Sequence, residues 1–462
     1  MTIKEQEKIL SLIIKSDPST WWVEYPPKIT YLQNRLDKKK ILGAIKNIFY
    51  KNQWPIGVYI NIPFCKKRCY FCKYYSETNI SGNVISNYLK CLDKELSLYN
   101  IDFKSIVLDN VYIGGGTPSL LNLKETQKLF KIINSYFNTN KTTQIIYEGT
   151  PETITLKKAI LLKENGVNRL TIGVQTFDEK LLKKINRGHG IKEIYKSYEA
   201  AKRAGIKNIN LDLLLGIPGE LELGYRKMAE NLIKMSPECI SFHTMVPGKR
   251  LLFNNNEINQ SLSRGRMLIK KIFPEIKKKL LKVGYIEADG FSGVTFIKKK
   301  CLDAVNRGLI NRYKLNPVLG VGSNSGSWMM PIKYAISCQV KDYIRAVSCG
   351  NLPDFSGMSL SKDEVIRRYL IHSFVLWKEL NKKDFFSHFK KDVLKVLKRD
   401  FSDLISNNLV RKNNKHLSLS RKWKSEFQGN LTNKYNDLEL ICLFCIKYIF
   451  SEKVINAIKK SL

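Results

Sequence analysis

The sequence predicts an α/β fold with a parallel sheet, followed by a mostly helical C-terminal region. Two observations predict the sheet. Short apolar segments alternate with amphipathic segments over residues 106–218, and glycines or polar residues follow several of the apolar segments. A third observation predicts the helical region, because apolar residues recur at helical spacing in DEVIRRYLIHSFVLWKEL from Asp363 onward.

The composition predicts a folded chain of two or three domains. Its 462 residues are 44% apolar and 11% aromatic, without a low-complexity segment or an internal repeat. We predict an N-terminal extension over 1–50, a core barrel with its own C-terminal extension over 51–350, and a helical, winged-helix-like domain over 351–462. Within the first part, WWVEYPPK is expected to be extended because consecutive prolines prevent a helix.

The charge balance is strongly basic, with 78 Lys and Arg against 41 Asp and Glu and a net charge of +37. Such an excess can mark a nucleic-acid partner, but the lysines are dispersed, which favours a solvated surface instead. A basic surface still predicts attraction to an acidic electron-transfer protein or an anionic substrate. The start carries no signal-peptide pattern and no run reaches membrane-spanning length, so we predict a cytoplasmic protein.

Three cysteines stand close together in NIPFCKKRCYFCKYY, at Cys65, Cys69 and Cys72. In a reducing cytoplasm, clustered thiols indicate metal ligands or redox chemistry rather than disulfides. The basic residues at 66–68 and 73 are expected to favour the thiolate form that binds metal. The spacing therefore predicts that the three sulfurs serve one metal centre.

Three thiolates leave one ligand position unassigned. A structural zinc site is normally closed by a fourth Cys or His, and neither lies within a dozen residues of the cluster. Zinc with a distant ligand, or three cysteines packed by coincidence, remain alternatives. An iron–sulfur cluster with one open iron fits better, because thiolates select such clusters and an open site is typical of catalysis.

The predicted elements follow the cysteine segment in order. Apolar residues at 106–108 and 111–113 predict a strand that leads into GGGTPS at 114–119, and LKETQKLFKII predicts the next helix. Glycines at a strand end allow the backbone to approach a ligand closely. Further predicted elements are a strand at 145–152, a helix at 155–165, a strand within 166–177, helices at 178–185 and up to 204, and a strand at 209–218.

Polar residues stand near the ends of three predicted strands, namely Glu148, Gln175 and Asp212. The carboxyl ends of parallel barrel strands are where such folds carry their chemistry. His243 ends the predicted strand CISFH at the same edge, and either contacts a ligand or is structural. His372 lies on an apolar helix face and is expected to be packed in the core, as are the scattered cysteines, including Cys442 and Cys445.

The CxxxCxxC pattern with an aromatic residue before its last cysteine resembles the signature of the radical S-adenosylmethionine (SAM) superfamily. The blocks EGTPE, NRLTIGVQTFD, NRGH, NLDLLLGIPGE and LGVGSNSGS resemble, in order and spacing, the oxygen-independent coproporphyrinogen III oxidase family within it, over about residues 20–420. This resemblance implies a partial TIM-type (β/α)6 radical SAM barrel with a mostly helical C-terminal domain.

The resemblance also implies the cofactors and the residues that hold them. Cys65, Cys69 and Cys72 would be catalytic metal ligands of a [4Fe–4S] cluster whose fourth iron binds SAM. A first SAM would contact the positions Tyr59, Gly115 and Glu148. A second SAM would contact Phe71, Gly116, Thr117, Gln175, Arg187 and Asp212.

Two departures from the family bear on the reaction. Tyr74 stands where the oxidases carry a fourth cysteine, and the class C radical SAM methyltransferases and cyclopropanases also lack that cysteine. The segment Ile310–Lys314 has no histidine where the related haem chaperones bind haem. We therefore predict radical C-methylation or cyclopropanation of an sp² carbon. Alternatives are oxidative decarboxylation of coproporphyrinogen III in haem biosynthesis, and haem binding without catalysis.

The predicted partners are a small-molecule substrate, anionic or tetrapyrrole-like, and an electron donor such as flavodoxin or ferredoxin. The enzyme is expected to be a monomer, to bind no nucleic acid and to cleave SAM reductively to a 5′-deoxyadenosyl radical. That radical would abstract hydrogen from the methyl group of the second SAM. Enclosure in a barrel would protect a primary carbon radical from side reactions.

Overall fold

A computed structural model of the chain describes residues 2–16, 25–27, 30–32, 34–51, 54–72, 74–245, 255–289, 293–301, 316–376, 379–420 and 444–460. Within these residues, one sheet of twelve strands is the largest element of structure. Its strands are β1 Gly57–Ile62, β2 Asn110–Gly115, β3 Gln144–Gly149, β4 Arg169–Gln175, β5 Asn208–Leu215, β6 Cys239–Thr244, β7 Tyr285–Asp289, β8 Gly293–Lys298, β9 Val318–Val321, β10 Gly326–Met329, β11 Ile332–Ile336 and β12 Phe355–Ser359.

Helices connect many of these strands. They are α1 Ile3–Ser16, α2 Lys38–Lys51, α3 Gly82–Leu98, α4 Leu123–Tyr136, α5 Leu156–Glu164, α6 Glu179–Lys184, α7 Ile191–Arg203, α8 Glu222–Met235 and α9 Asn255–Lys282. Later helices span Val340–Ser348, Lys362–Leu376, Lys382–Phe389, Val393–Asp400, Ser402–Ser406 and Glu452–Lys460. A separate sheet has the order β13-β15-β14, with β13 Glu379–Asn381, β14 Val410–Lys412 and β15 His416–Leu419.

The central part of the large sheet consists of β1 to β6, which lie side by side in chain order and are all parallel. Each step from one strand to the next passes through at least one helix, as a parallel connection requires. All six strands therefore end at the same side of the sheet, called the carboxyl edge below. The predicted α/β partial barrel is confirmed.

The sheet continues beyond the six parallel strands on both sides. Antiparallel β8 and β7 follow β6, while β9 pairs parallel to β1 and is followed by antiparallel β10 and β11. One local expectation was wrong. The apolar segment at 106–108 is not a strand, and only Val107 forms an isolated bridge there, with Asn138.

Side chains at the helix starts explain where several connections turn. Asn122 caps α4 by accepting from the backbone N–H of Glu125, whose carboxylate bonds back to the backbone N–H of Asn122. Thr155 and Asp178 cap α5 and α6 in the same sense, with side-chain oxygens that accept backbone N–H groups of the first turn. These caps fix the helix that follows each strand-end loop.

One continuous apolar core lies between the sheet and its helices. Val58, Val111, Ile172 and Leu211, on four of the parallel strands, are all fully buried. Burial of a Val, Leu or Ile side chain contributes about 1.5–3 kcal/mol, so this core stabilises the barrel and holds the strand ends in fixed positions.

The chain groups into two compact units. The larger contains residues 35–312 and 316–357, and the smaller contains residues 1–34, 313–315 and 358–462. The smaller unit includes α1, the three-stranded sheet and the helices from Lys362 onward. The three-part division at 50 and 350 stays a prediction. In the described residues, no helix has the length and apolar character that a membrane crossing needs.

Candidate radical SAM site

The cysteine loop leaves the carboxyl end of β1 and is held by backbone hydrogen bonds. The N–H of Cys65 donates to the carbonyl of Glu77 (2.9 Å), and that of Cys72 donates to the carbonyl of Cys69 (3.1 Å). The N–H of Thr117 donates to Phe64, immediately before the first cysteine (2.8 Å). The loop is therefore fixed both to itself and to the glycine segment after β2.

The three thiols are partly buried. Burial raises the pKa of the Cys65 thiol and raises that of Cys72 to about 11. The expectation that the nearby basic residues favour the thiolate is thus wrong for these two cysteines, because desolvation outweighs the charge of Arg187 near Cys65 and of Arg68 near Cys72. A bound iron would supply the positive charge that removes the proton.

The arrangement of the thiols bears on which metal centre they fit. Among the residues that the structure describes, no three His, Cys, Asp or Glu side chains are grouped to hold a single metal ion. A cubane does not require such a group, because each cysteine sulfur binds a different iron. Three soft donors in one fixed loop fit an iron–sulfur cluster.

The glycines after β2 allow the backbone to pass close to the cysteine loop. A Cβ on Gly116 would lie 2.7 Å from the carbonyl oxygen of Phe64, and one on Gly115, whose φ is 117°, would collide with the amide oxygen of Asn61. The Thr117 hydroxyl lies 3.4 Å from the Cys65 sulfur. Three predicted SAM contacts, Gly115, Gly116 and Thr117, therefore line the cysteine loop.

Glu148 lies at the carboxyl end of β3, facing this glycine segment. Its carboxylate accepts a hydrogen bond from the Tyr112 hydroxyl, and a Cβ on Gly114 would lie 2.9 Å from it. The neighbouring Tyr59 donates to Asn61 (3.1 Å), with its ring centroid 5.7 Å from that of Tyr112. A carboxylate beside a backbone without side chains leaves space for an ammonium group.

Gln175 ends β4 in an unusual backbone conformation. Its φ is 71°, in the left-handed region, and the pairing with β5 shifts register between Gly173 and Gln175. This conformation costs about 1–2 kcal/mol for a residue with a side chain. A Cβ on Gly173 would lie 2.9 Å from the side-chain nitrogen Nε2 of Gln175, so the glycine makes room for this side chain.

Arg187 joins the end of β4 to the cysteine loop. One guanidinium nitrogen donates to the Cys69 sulfur (3.3 Å), and another donates to the carbonyl of Gly173 (2.5 Å). Its Nε is buried and has no hydrogen-bond partner among the described residues. A buried donor without an acceptor, beside a thiol, is suited to an anionic ligand.

The partly buried Glu152 and the buried His189 form a pair near Arg187. The Nδ1 of His189 is 3.1 Å from the Glu152 carboxylate, and its Nε2 is 3.3 Å from the carbonyl of Val174. Burial acts to raise the pKa of Glu152, but the hydrogen bond from His189 and the charge of Arg187 outweigh it and lower the pKa to about 2. Glu152 is therefore a carboxylate at neutral pH.

Asp212, on β5, belongs to a row of polar side chains that crosses to β6. Asn210 donates to Asp212 (2.6 Å), and Ser241 donates to Asn210 (3.0 Å). The Nε2 of His243 is 3.5 Å from the Asp212 carboxylate. The structure thus places His243 at the same edge as Asp212.

Phe71 and Tyr74 occupy different surroundings in the cysteine loop. Phe71 packs against an apolar cluster formed by Leu181, Ile185, Leu214, Ile217 and Met245. Tyr74 is 48% exposed. Phe71 therefore anchors the loop, whereas the residue at the fourth-cysteine position faces solvent.

Several residues of this edge were not predicted from the sequence. They are Asn61, Tyr112 and Asn210, which form hydrogen bonds with the predicted residues Tyr59, Glu148 and Asp212, and the pair of Glu152 and His189. The alternation of side chains along a strand could have predicted two of them. Tyr112 stands two positions before Gly114, and Asn210 stands two positions before Asp212, so each lies on the same face of the sheet as its predicted neighbour. Ile310–Lys314 and Cys442 lie outside the described residues, so their expected roles stay predictions.

The fold and the residues at this edge define a protein of the radical SAM class. The family model described as "Radical SAM superfamily" matches residues 59–232. Within that superfamily, the chain is similar to oxygen-independent coproporphyrinogen III oxidase and to heme chaperone HemW. Membership in the superfamily implies a [4Fe–4S] cluster and SAM as cofactors.

Two relatives that match most of this chain are named for different functions. Heme chaperone HemW of Buchnera aphidicola is 29% identical over 76% of this chain and 86% of the relative. Oxygen-independent coproporphyrinogen III oxidase of Helicobacter pylori is 25% identical over 85% of this chain and 90% of the relative. The solved structure of coproporphyrinogen III oxidase (HemN) from Escherichia coli, at 21% identity, covers 91% of this chain and 96% of its own with a TM-score of 0.72, which shows the shared fold.

Proposed function

We propose that this chain is a radical SAM enzyme that acts on an anionic tetrapyrrole by abstracting a hydrogen atom, as a coproporphyrinogen III oxidase does. The observation that carries the proposal is the position of Cys65, Cys69 and Cys72 in one fixed loop at the carboxyl edge of the sheet, in which Glu148 lies near the end of β3 and Asp212 lies within β5. Thiol donors and carboxylates at one edge supply ligands both for a cluster and for a charged nucleoside.

The chain's own residues would bind and orient the cofactors. When bound, the cluster supplies the electron that cleaves SAM to methionine and a 5′-deoxyadenosyl radical. Glu148 would bind the methionyl ammonium group, because Tyr112 fixes its carboxylate beside the glycine segment. Arg187 would donate to an anionic group of SAM through its buried Nε. We place a second SAM at Gln175 and Asp212, with Phe71, Gly116 and Thr117 alongside.

The names of the relatives favour a tetrapyrrole substrate over the methyl-transfer reaction predicted from the sequence. The Buchnera and Helicobacter relatives, which match 76% and 85% of this chain, are named for haem and for coproporphyrinogen III. Coproporphyrinogen carries propionate groups, and the net charge of +37 would attract such an anion. Coproporphyrinogen-oxidase-type chemistry therefore becomes the leading proposal.

Methyl transfer or cyclopropanation remains a second candidate because of one residue. Tyr74 stands at the position of the oxidases' fourth cysteine, and its side chain is half exposed rather than packed in the core. A fully conventional oxidase site would be expected to keep that cysteine. The reaction outcome, rather than the cofactors, separates the two candidates.

One experiment distinguishes these reactions. The purified chain is reconstituted anaerobically with iron and sulfide, reduced with dithionite, and incubated with coproporphyrinogen III and SAM labelled in its methyl group. Release of CO2 with formation of 5′-deoxyadenosine supports the oxidase-type proposal. Label in the tetrapyrrole supports methyl transfer instead. A Soret band on haem titration without deoxyadenosine supports haem binding without catalysis, as the name of the Buchnera relative indicates.

A further inference from the structure

The surface beside the cysteine loop is basic. Lys66 and Lys67 are exposed in that loop, and Lys183 and Lys184 are exposed at the end of α6. Together with the partly exposed Arg68, these residues are called the basic rim below. Five positive charges thus lie on two segments that are more than 100 positions apart in the sequence.

Hydrogen bonds hold the two segments of the basic rim together. The backbone N–H of Tyr70 donates to the carbonyl of Ile185 (3.2 Å), and the side chain of Asn186 donates to the carbonyl of Arg68 (2.7 Å). A Cβ on Gly188 would lie 3.6 Å from the Cε of Lys67, so this lysine extends along the neighbouring loop. The charges therefore form one surface rather than two separate patches.

The four lysines of the basic rim form no ion pair with the acidic groups that the structure describes. The nearby acids are engaged elsewhere, because Glu152 pairs with His189, Glu179 accepts from the N–H of Ile191, and Asp178 caps α6. Repulsion among uncompensated like charges does not stabilise the fold, which indicates a role in binding.

The basic rim also borders exposed aromatic side chains and the thiols. Tyr70 is 37% exposed and Tyr74 is 48% exposed, and tyrosines of this kind are frequent in protein interfaces. Cys65, Cys69 and Cys72 are all partly exposed in the same loop. A partner that docks on the rim therefore comes close to the cysteine ligands.

We propose that the basic rim docks an acidic one-electron carrier protein, and this inference rests on the proposed function. Reductive cleavage of SAM needs one electron per turnover, and the carrier is oxidised by one equivalent while the cluster on these cysteines is reduced by one. No bond forms between the two proteins. Redox encounters bury small interfaces, so a surface of four lysines, one arginine and two tyrosines is large enough. Opposite charge raises the association rate.

The test compares two charge-reversed variants with a matched control. The rim variants are K66E/K67E and K183E/K184E. The control is K141E/K207E, whose exposed lysines precede β3 and β5 at the opposite edge of the sheet and form no ion pair in the described residues. Formation of 5′-deoxyadenosine is measured with two reductants, namely an acidic flavodoxin reduced by its reductase, and dithionite.

We expect both rim variants to lose at least about tenfold in the ratio of the flavodoxin-driven rate to the dithionite-driven rate. K183E/K184E, which lies outside the cysteine loop, should also keep the dithionite-driven rate itself, and the control should be unchanged in both rates. Raising the salt concentration should slow the flavodoxin-driven reaction of the native chain more than that of the rim variants. Equal losses in rim and control variants, or no loss in any of them, would overturn the docking proposal.

A separate measurement distinguishes failure of the docking site from failure of the proposed function. If dithionite produces no deoxyadenosine in the cluster-loaded native chain, the proposed function fails. Titration of the same loaded proteins with oxidised flavodoxin, followed by calorimetry, then decides the docking question alone. Weaker binding by the rim variants than by the control supports the basic rim, and equal binding refutes it.

Discussion

Glu152 is a partly buried carboxylate and Glu95 a fully buried one, and their pKa values shift in opposite directions. Glu152 lies beside His189 and Arg187, and its pKa is lowered to about 2. Glu95 is fully buried on α3, where burial raises its pKa to about 7 although the hydroxyls of Tyr343 and Tyr99 partly offset the effect. The first region contains the cationic Arg187, and only neutral donors are present in the second.

The two regions also connect to different parts of the molecule. The Glu152 region reaches the cysteine loop through Arg187, which donates to Cys69. The Glu95 region holds the frame of the sheet, because Glu95 accepts hydrogen bonds from Tyr343 (2.5 Å), Tyr99 (2.8 Å) and the N–H of Gly322 after β9 (2.9 Å). Substitutions in the first region should alter activity, and substitutions in the second should alter stability.

The largest expected effect is the loss of SAM cleavage in Cys69→Ala. Removal of one of the three proposed cluster ligands should lower the rate of 5′-deoxyadenosine formation by at least about a thousandfold, or roughly 4 kcal/mol in the barrier. Because Cys69 is only partly buried, the unfolding free energy of the metal-free chain should change by less than about 1 kcal/mol. Cys349→Ala, at an exposed cysteine, is the control and should keep full activity. Retained cleavage in Cys69→Ala would contradict the cluster assignment.

In the region around Glu95, Glu95→Ala should lower the unfolding free energy by about 3 kcal/mol. The substitution leaves the buried Tyr343 hydroxyl and the Gly322 N–H without their acceptor and also opens a cavity. Urea unfolding of the metal-free chain measures the change. The control is Glu199→Ala, at an exposed position of α7. The rate per loaded cluster should remain near that of the native chain. A stability change no larger than that of the control would show that the network is not stabilising.

The raised pKa of Glu95 predicts that the stability of the fold decreases as the pH rises. The folded pKa of Glu95 is raised from 4.5 to about 7, so its contribution is complete below pH 4.5 and is lost as the pH rises through 7. Glu220 shares the raised pKa, so the comparison of native chain and Glu95→Gln isolates Glu95. Between pH 5 and 7, the native chain should lose on the order of 1 kcal/mol per pH unit more than the variant. Parallel curves would contradict this assignment.

The sequence pattern predicted five of the six parallel strands, β2 to β6, because these follow from local patterns, whereas β1 was not assigned from the pattern. Alternating apolar segments determine strands, and Glu148 and Gln175 stand at the ends of β3 and β4, whereas Asp212 lies within β5. The proposed roles of these residues still depend on resemblance rather than on pattern. The strand at 106–108 was wrong because an apolar triplet alone does not provide a pairing partner, and the pairing begins at Asn110.

Contacts between distant segments could not be predicted in this way. The bonds from Asn186 to Arg68 and from Arg187 to Cys69 join positions 118 apart in sequence. The thiol pKa values also depend on burial, which the local sequence does not give, and burial reversed the expected effect of the basic neighbours on Cys65 and Cys72. Electrostatics at this edge therefore required the three-dimensional arrangement.

Glu152→Gln should have an intermediate effect and should show the opposite pH dependence. The folded pKa of Glu152 is lowered, so its contribution is present above about pH 4.5 and is lost as the pH falls toward 2. Loss of the charged partner of His189 should cost about 1–2 kcal/mol at pH 7 and nothing measurable near pH 2. Because Arg187 loses a nearby negative charge in Glu152→Gln, the KM for SAM should change severalfold. The control is Glu164→Gln, at the exposed end of α5, which should leave the KM unchanged. A stability difference that persists at pH 2 would show that it does not arise from the charge of Glu152.

The smallest expected effect is a gain in stability in Gln175→Gly. The left-handed backbone of Gln175 strains any residue with a side chain, and glycine relieves this strain, so the unfolding free energy should rise by up to about 1 kcal/mol. Ser236→Gly is the matched control, because Ser236 has a φ of 52° but lies between α8 and β6, at the amino edge of the sheet. Both variants should gain stability, but only Gln175→Gly should raise the KM for SAM, measured from initial rates of deoxyadenosine formation. Equal KM values for SAM in the two variants would show that the Gln175 side chain does not bind SAM. The left-handed backbone of Gln175 would then serve only the register shift between β4 and β5.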